Sequence, residues 1–388
     1  MNTKTFKPYN HKLAQAVALG VLVLAANQAH ATDYTFSDFG IINGPYAHAG
    51  AYAINNLGQV AGTRQDASGL DVYNPIRWDG EVATQLDYLG GGPAYTFANA
   101  INNNGQIAGQ NWMSTNNFHA VRWDGTAITD LGSLGGTHSF GWGINNAGLV
   151  VGMSDTTGDA SRHASLWNGA TQTDLGTLGG TNSNAQAINT AGQIVGDSFL
   201  SDDATTHAAY WNDSTAAPID LGSLGGDSSA FSINDAGQIA GISILTDGTT
   251  THAALWDSVI AAPIDLGSLG SDSFSHAINN AGQIVGESIL ADGSMHATLW
   301  EGGSLIDLNN FLSDDLRAAG WYLFQGSDIN DQGVIVGFTA NGPDLGTALF
   351  APFKLTPTVV PVPGAIWLFG SALAGFVGWS RRKQPPRG

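Results

Sequence analysis

Asp220-Leu-Gly-Ser-Leu-Gly-Gly-Asp-Ser-Ser-Ala-Phe-Ser-Ile-Asn-Asp-Ala-Gly-Gln-Ile-Ala-Gly241, followed by His252-Ala-Ala-Leu-Trp256, is a unit that this 388-residue chain writes repeatedly. Its Ile-Asn-x-x-Gly core begins at Ile54, Ile101, Ile144, Ile188, Ile233, Ile278 and Ile329, giving seven copies at spacings of 47, 43, 44, 45, 45 and 51 residues. That period belongs to propeller blades rather than to the shorter helical or leucine-rich repeats. The 52 glycines, and short apolar runs closed by Asn-Gly, Asp-Gly or Gly-Gly, are the grammar of strands and turns.

One unit reads as four strands: one running into Ile233-Asn234, one from Gln238 to about Ile242, one from His252 to Trp256, and one from Pro263 to Leu266. In the third, His252, Ala254 and Trp256 point one way and Ala253 and Leu255 the other, so neither face carries charge. A strand covered on both sides fits a blade sandwiched between two neighbours. The third strand recurs at Trp78, Trp123, Trp167, Trp211, Trp256, Trp300 and, degenerately, at Ala348-Leu-Phe350, after which no fourth strand follows. An unpaired strand, Tyr34 to Gly40, precedes the first copy. Completing the last blade with it would close a circle and remove a free sheet edge.

The repeat resembles a bacterial extracellular family named for its His-Ala-Phe motif, the HAF repeat. The match rests on His119-Ala, His163-Ala, His207-Ala, His252-Ala and His296-Ala, followed by Asp-Leu-Gly in the first four, with Ile-Asn-x-x-Gly-Gln-Ile-Val-Gly between. It covers roughly residues 33 to 354, with Ala or Ser in place of Phe. The resemblance implies an exported protein and names no activity.

Lys4, Lys7 and Lys12 precede an apolar run from Ala14 to Ala26 and the small-x-small pattern Ala29-His-Ala31, which reads as a secretory signal peptide cleaved after Ala31. Beyond it the body holds six basic residues (Arg64, Arg77, Arg122, Arg162, Arg317 and Lys354) against all 32 acidic ones, an excess of 26 negative charges. Nucleic acid, whose binding depends on neutralising phosphates with Lys and Arg, is excluded as a partner class. The acidity serves solubility, with calcium possible as a counterion. The chain has no cysteine, which removes thiol nucleophiles and thiolate metal sites. No pair of repeats offers a recognisable metal-ligand spacing, so metal binding stays unknown.

Candidate ligand contacts are His119, His163, His207, His252 and His296, expected with Ser and Asp around one mouth of the channel, where propellers commonly bind. Trp112 and Trp142 lie off the repeat register and suit exposed, sugar-stacking rings, as does Trp321. Against this, a histidine repeated blade after blade suits a bond within its own blade, whereas catalysis needs one asymmetric constellation. The Leu-Gly-Gly loops look like phosphate cradles but open strands rather than helices. The irregular places are the Arg64 insertion and the connection from Asn309 to Tyr322 with Asp314, Asp315 and Arg317. No catalytic residue emerges.

The tail from Lys354 leads through prolines into an uncharged run, Pro363 to Trp379, then Arg381, Arg382 and Lys383. About 17 apolar residues are the lower limit for a spanning helix, and the basic cluster marks the cytoplasmic end. Pro361-Val-Pro363, the apolar helix and the terminal Arg residues resemble the PEP-CTERM sorting signal, with Val362 where that family most often has Glu. The resemblance implies processing by an exosortase-type enzyme and a link to exopolysaccharide.

The expected architecture is therefore all-β: a seven-bladed β-propeller over residues 32–355 closed by an N-terminal strand, with a signal peptide at 1–31. Residues 356–388 form a Pro-rich linker, a transmembrane or sorting helix and a basic tail. The expected function is noncatalytic binding of glycan or protein at the bacterial surface or in its matrix. The alternatives are a polysaccharide hydrolase or lyase, and a purely structural matrix component.

Overall fold

The quoted unit folds as four antiparallel strands in chain order: β18 (Gly225–Ile233), β19 (Ile239–Leu245), β20 (Thr251–Trp256) and a two-residue β21 (Ile264–Asp265). The computed structural model describes residues 33–39, 49–65, 73–90, 95–113, 117–342 and 349–358, and within these the sheet occurs seven times. The first blade runs from β2 (Ala49–Ile54) to β5 (Val82–Gln85), and the second from β6 (Phe97–Ile101) to β9 (Ala127–Asp130). The third runs from β10 (Gly135–Ile144) to β13 (Thr171–Asp174), the fourth from β14 (Gly179–Ile188) to β17 (Ile219–Asp220), and the sixth from β22 (Ser273–Ile278) to β25 (Ser304–Asp307). The seventh combines β26 (Trp321–Ile329), β27 (Ile335–Asn341) and β28 (Leu349–Thr358) with β1 (Asp33–Ser37), which pairs with β28 as the outermost strand. The molecule is thus a seven-bladed propeller closed by its N-terminal strand.

Contacts divide the chain into the unit Thr35–Thr356 and a second made of the two chain ends, of which only residues 33, 34, 357 and 358 are described. There Thr358 Oγ1 donates to the Asp33 carbonyl at 2.9 Å. The expected signal peptide with Ala29 and Ala31, and the sorting segment with Pro361, Pro363, Arg381, Arg382 and Lys383, lie outside the described residues. Among the described residues no helix is long and apolar enough to cross a membrane.

The motif residues hold blade to blade. Trp256 is fully buried, and its Nε1 donates to the Leu221 carbonyl of the preceding blade at 2.9 Å; Trp211 and Trp300 repeat the bond to Leu175 and Leu266 at 2.8 and 3.1 Å. Val195, Tyr210 and Leu221 of the fourth blade form one apolar cluster with Ile239, Ala254 and Trp256 of the fifth. The alanines are small because the next blade lies directly over them, and the tryptophans fill what the alanines leave.

Asn234 shows why Ile-Asn-x-x-Gly recurs. Its Oδ1 accepts from Ala236 N (3.1 Å) and Gln238 N (2.9 Å), Gly237 takes the left-handed φ of 82° that closes the turn, and Nδ2 donates to the Asn279 carbonyl of the next blade (3.1 Å). The same interblade bond runs from Asn55 to Asn102, Asn145, Asn189, Asn234, Asn279 and Asn330, and from Asn330 back to Asn55 at 3.1 Å. Seven buried amides therefore make a closed belt at one end of the channel. This satisfies donors that burial would otherwise leave unpaired.

The seventh blade departs from the repeat where the chain ends must meet. Leu355, not Phe350, stands opposite Ile335, the place held by Trp256 opposite Ile239. Its third strand therefore extends through Thr358, four residues past Lys354. At the seam Asp328 accepts from Ile54 N of the first blade and from Ile329 N, both at 2.8 Å. Part of Asp328 is accessible, yet the carboxyl sits on an innermost strand, and burial pushes its pKa up to about 7. The folded chain thus keeps a proton that the unfolded chain releases near pH 4, so this group's contribution to stability declines as pH rises from about 4 to 7. Asp328→Asn cannot titrate, though its amide nitrogen faces one of the two N–H donors, so the substitution should be on the order of 2–4 kcal/mol more favourable at pH 8 than at pH 4. Denaturant melts at the two pH values test this; equal shifts at both would contradict it.

Candidate functional site

The five motif histidines bond within their own blades. His119, His163, His207, His252 and His296 each place Nδ1 2.7–2.8 Å from a carboxylate oxygen of Asp130, Asp174, Asp220, Asp265 and Asp307. Each Asp opens the Asp-Leu-Gly, or in the sixth blade Asp307-Leu-Asn309, of the outermost strand and also accepts from the backbone N–H two residues on, as Asp220 does from Gly222 at 2.7 Å. Burial raises the Asp130 pKa, but the bonds from His119 and Gly132 N outweigh it and hold the carboxyl below its usual value. The histidines therefore lie in the outer half of the blades, joining third strand to fourth, and not around the channel mouth. His252→Ala should destabilise the protein by about 1 kcal/mol, the net worth of its hydrogen bonds to the exposed Asp265 carboxylate and the Ser271 carbonyl. A melt unchanged within error would contradict this.

The Leu-Gly-Gly loops are equally structural. Leu224 N donates to Ser243 Oγ (2.8 Å), while Ser228 Oγ accepts from Ala208 N (2.9 Å) and donates to the Gly222 carbonyl (2.8 Å), anchoring the loop at a blade junction. The channel mouth inside the asparagine belt is a polar recess of about 180 Å³ whose side chains are bonded to one another. Asn280, for example, donates to both Asp235 and Asp331.

What breaks the repeat is a β-bulge on the innermost strand of every blade. In every blade the pairing register slips two residues before the Ile-Asn, at Tyr52, Asn99, Trp142, Gln186, Phe231, His276 and Ser327. Bulges re-aim side chains and favour functional sites. These seven positions, two before each Ile-Asn, carry seven different residue types between near-constant neighbours. His276 bonds the buried Glu287 at 2.5 Å beside Gln325, and Trp142 stacks on Phe140 with centroids 5.8 Å apart and planes 4° apart.

Trp142 and Trp112 belong to a continuous file of half-exposed rings that crosses from the first blade to the third. Tyr73 meets Tyr95 (6.4 Å), Tyr95 meets Trp112 (6.0 Å), Trp112 meets Phe118 (4.7 Å), Phe118 meets Phe140 (5.4 Å), and Phe140 meets Trp142. Trp321, in contrast, is buried. The file ends where Arg162 lies over Phe140 at 5.8 Å, beside a cleft of about 630 Å³ between the third and fourth blades. The cleft opens on the face where the innermost strands begin, opposite the asparagine belt.

Charged and amide side chains from both blades line this cleft. The buried Asp155 accepts from Arg162 Nε (2.9 Å) and His138 N (3.1 Å), and His138 Nδ1 accepts from Phe118 N (3.1 Å). Asp159, in left-handed backbone at φ 55°, accepts from Thr137 N at 2.6 Å and from Thr137 Oγ1; these bonds hold its pKa below the usual value. Asp197 faces Asn184 across the sheet. Burial pushes its pKa up to about 6, against the opposing hydrogen bonds from Gln186 and Asn184. Asn184 Oδ1 is shielded from solvent and has no hydrogen-bond partner. His138, Asp197, His276 and Glu287 were not legible as site residues; their one signal is departure from the repeat. No group of three or more His, Asp or Glu side chains among the described residues is arranged to hold a metal ion.

No family model matches the chain, and no curated protein matches it in sequence. Solved structures share its fold. The β-propeller domain of the Trilobed protease from Pyrococcus furiosus is similar at 10% identity with a TM-score of 0.52, over 82% of this chain and all of that one. TolB from Acinetobacter baumannii is similar at 11% identity and a TM-score of 0.46, over 77% of this chain and 63% of that one. An oligogalacturonate lyase in complex with manganese gives 11% identity and a TM-score of 0.48, over 88% and 96%. The likeness to the protease domain shows the β-propeller fold alone.

Proposed function

We propose that the protein is an exported, noncatalytic propeller that binds polysaccharide at the cell surface or in its matrix, through the cleft between the third and fourth blades. The observation that carries this is the file of half-exposed rings, Tyr95, Trp112, Phe118, Phe140 and Trp142, leading into a cleft lined by amides and carboxylates. The C–H face of a sugar ring is an apolar patch that stacks on aromatic faces, while its hydroxyls need the flanking acceptors and donors. An extended row of rings suits a polymer better than a single small molecule.

Export rests on the leader through Ala31, and membrane retention on the tail from Pro361 to Lys383, where an exosortase-type enzyme would act. Finding the full-length chain in the cytoplasm with residues 1–31 attached would overturn both.

Affinity electrophoresis and reducing-end analysis against a panel of surface polysaccharides test the reading. Saturable retention without cleavage supports it, cleavage would make the protein a hydrolase or lyase, and neither outcome would leave a structural matrix component. Phe140→Ala should weaken retention about tenfold, the equivalent of losing 1–1.5 kcal/mol of stacking. His252→Ala should leave retention intact in the folded protein.

A further inference from the structure

The cleft's chemistry also says what charge its ligand carries. We infer, resting on the reading that it binds glycan, that the cleft selects a polysaccharide bearing free amino groups, a cationic aminoglycan, over one bearing uronate or sulfate groups.

Three carboxylates line the cleft, those of Asp155, Asp159 and Asp197, against one cation, Arg162. Arg162 is already ion-paired: its Nε bonds Asp155 at 2.9 Å and its guanidinium lies over Phe140, while its terminal amino groups stay open. The backbone N–H of Arg162 donates to Asn182 Oδ1 at 2.9 Å, and that of Thr137 to Asp159. The charge left over in the cleft, three carboxylates against one paired cation, is therefore negative, and its carriers are acceptors. Asn184 Oδ1 is shielded with no partner, and a carboxylate that accepts two bonds still has lone pairs free. An arriving ammonium brings three N–H donors and positive charge. An arriving carboxylate or sulfate brings only more acceptors.

The rings point the same way: aromatic faces carry the negative part of the quadrupole and attract cations, as Phe140 already does with Arg162. Ionised Asp197 is disfavoured by burial, and a neighbouring ammonium would relieve that penalty. At longer range, an excess of 26 negative charges in the body draws a polycation inward and repels a polyanion.

The test titrates the purified full-length protein with three hexasaccharides, β-1,4-linked glucosamine, its N-acetylated counterpart and a galacturonate, at low and high salt. The inference expects the glucosamine hexamer to bind at least tenfold tighter than either other probe. It also expects Asp159→Asn with Asp197→Asn, both isosteric and checked by thermal melting, to remove that preference. Asp213→Asn with Asp247→Asn, at exposed turns elsewhere, should leave it within twofold. If the acetylated or galacturonate probe binds as well, and Phe140→Ala still abolishes binding, the glycan reading survives and the charge inference fails. If the distant pair weakens binding as much as the cleft pair, attraction is diffuse and the inference fails. If no hexasaccharide binds, or Phe140→Ala changes nothing, both fall.

Discussion

Removing Asp33–Phe39 should lower the stability of the propeller by on the order of 5 kcal/mol, far out of proportion to seven residues of sequence. The segment supplies the outermost strand of the seventh blade, so its loss leaves β28 as a free edge in a fold that otherwise has none at that position. Phe39 is buried against Trp78 of the first blade at 5.5 Å and lies beneath Lys354 of the seventh at 5.6 Å, so one side chain ties both ends of the ring. Burying a phenylalanine contributes about 2–3 kcal/mol, and several ladder bonds at about 1 kcal/mol each make up the remainder. Denaturant melts of the truncated and full chains read the effect, and sedimentation should show the truncated form associating through its open edge. A truncated form that melts with the full chain and stays monomeric would mean that the strand does not close the ring.

Gly241→Ala should be nearly as damaging, for a reason local to every blade. A Cβ at Gly241 would sit 2.0 Å from the Ser229 carbonyl oxygen of the adjacent innermost strand. The matching glycines are Gly62, Gly109, Gly152, Gly196, Gly286 and Gly337, each with a backbone carbonyl 1.8–2.0 Å from the Cβ position. The bulge that re-aims Phe231 brings this carbonyl close, so the ladder must break or the bulge must flatten to admit a methyl group. Overpacking commonly costs 1–3 kcal/mol, and against unyielding backbone the expected loss is about 3–5 kcal/mol. Gly248→Ala is the contrast: nothing lies within 4 Å, its φ is 74°, and only the left-handed backbone cost of about 1 kcal/mol applies. Equal losses at the two positions would show that chain conformation, not the approach of the carbonyl, explains the glycine.

Much of this architecture is legible in the sequence because the motif asparagine makes the same bond in every blade, and the motif histidines and most of the tryptophans repeat theirs. Ile-Asn-x-x-Gly recurs because Asn234 and its counterparts must satisfy a turn and a neighbouring blade at once. The spare N-terminal strand is legible because the seventh copy lacks a fourth. The histidines mislead for the same reason: repetition shows that His252 matters, but not that its partner is Asp265, 13 residues on at the rim. The cleft is harder still, since a repeat announces what is shared and a binding site is what differs. Asp197 stands at a position that is Ile242 in the fifth blade and Met153 in the third, and only the bulged pairing shows that this column faces Asn184 and the cleft. Written under one another, the repeats do expose the column Tyr52, Asn99, Trp142, Gln186, Phe231, His276 and Ser327. Its meaning needs the third dimension.

A polysaccharide held in the cleft between the third and fourth blades should shield the backbone that lines it. The most direct measurement is hydrogen–deuterium exchange on the full-length protein with and without a saturating oligosaccharide that it retains. Added protection should fall on residues 137–142, 155–162 and 182–199, with the aromatic file at 112–118 following. Protection confined to the turns of the asparagine belt, or to the outer strands that carry His252 and Asp265, with the cleft unchanged, would contradict it.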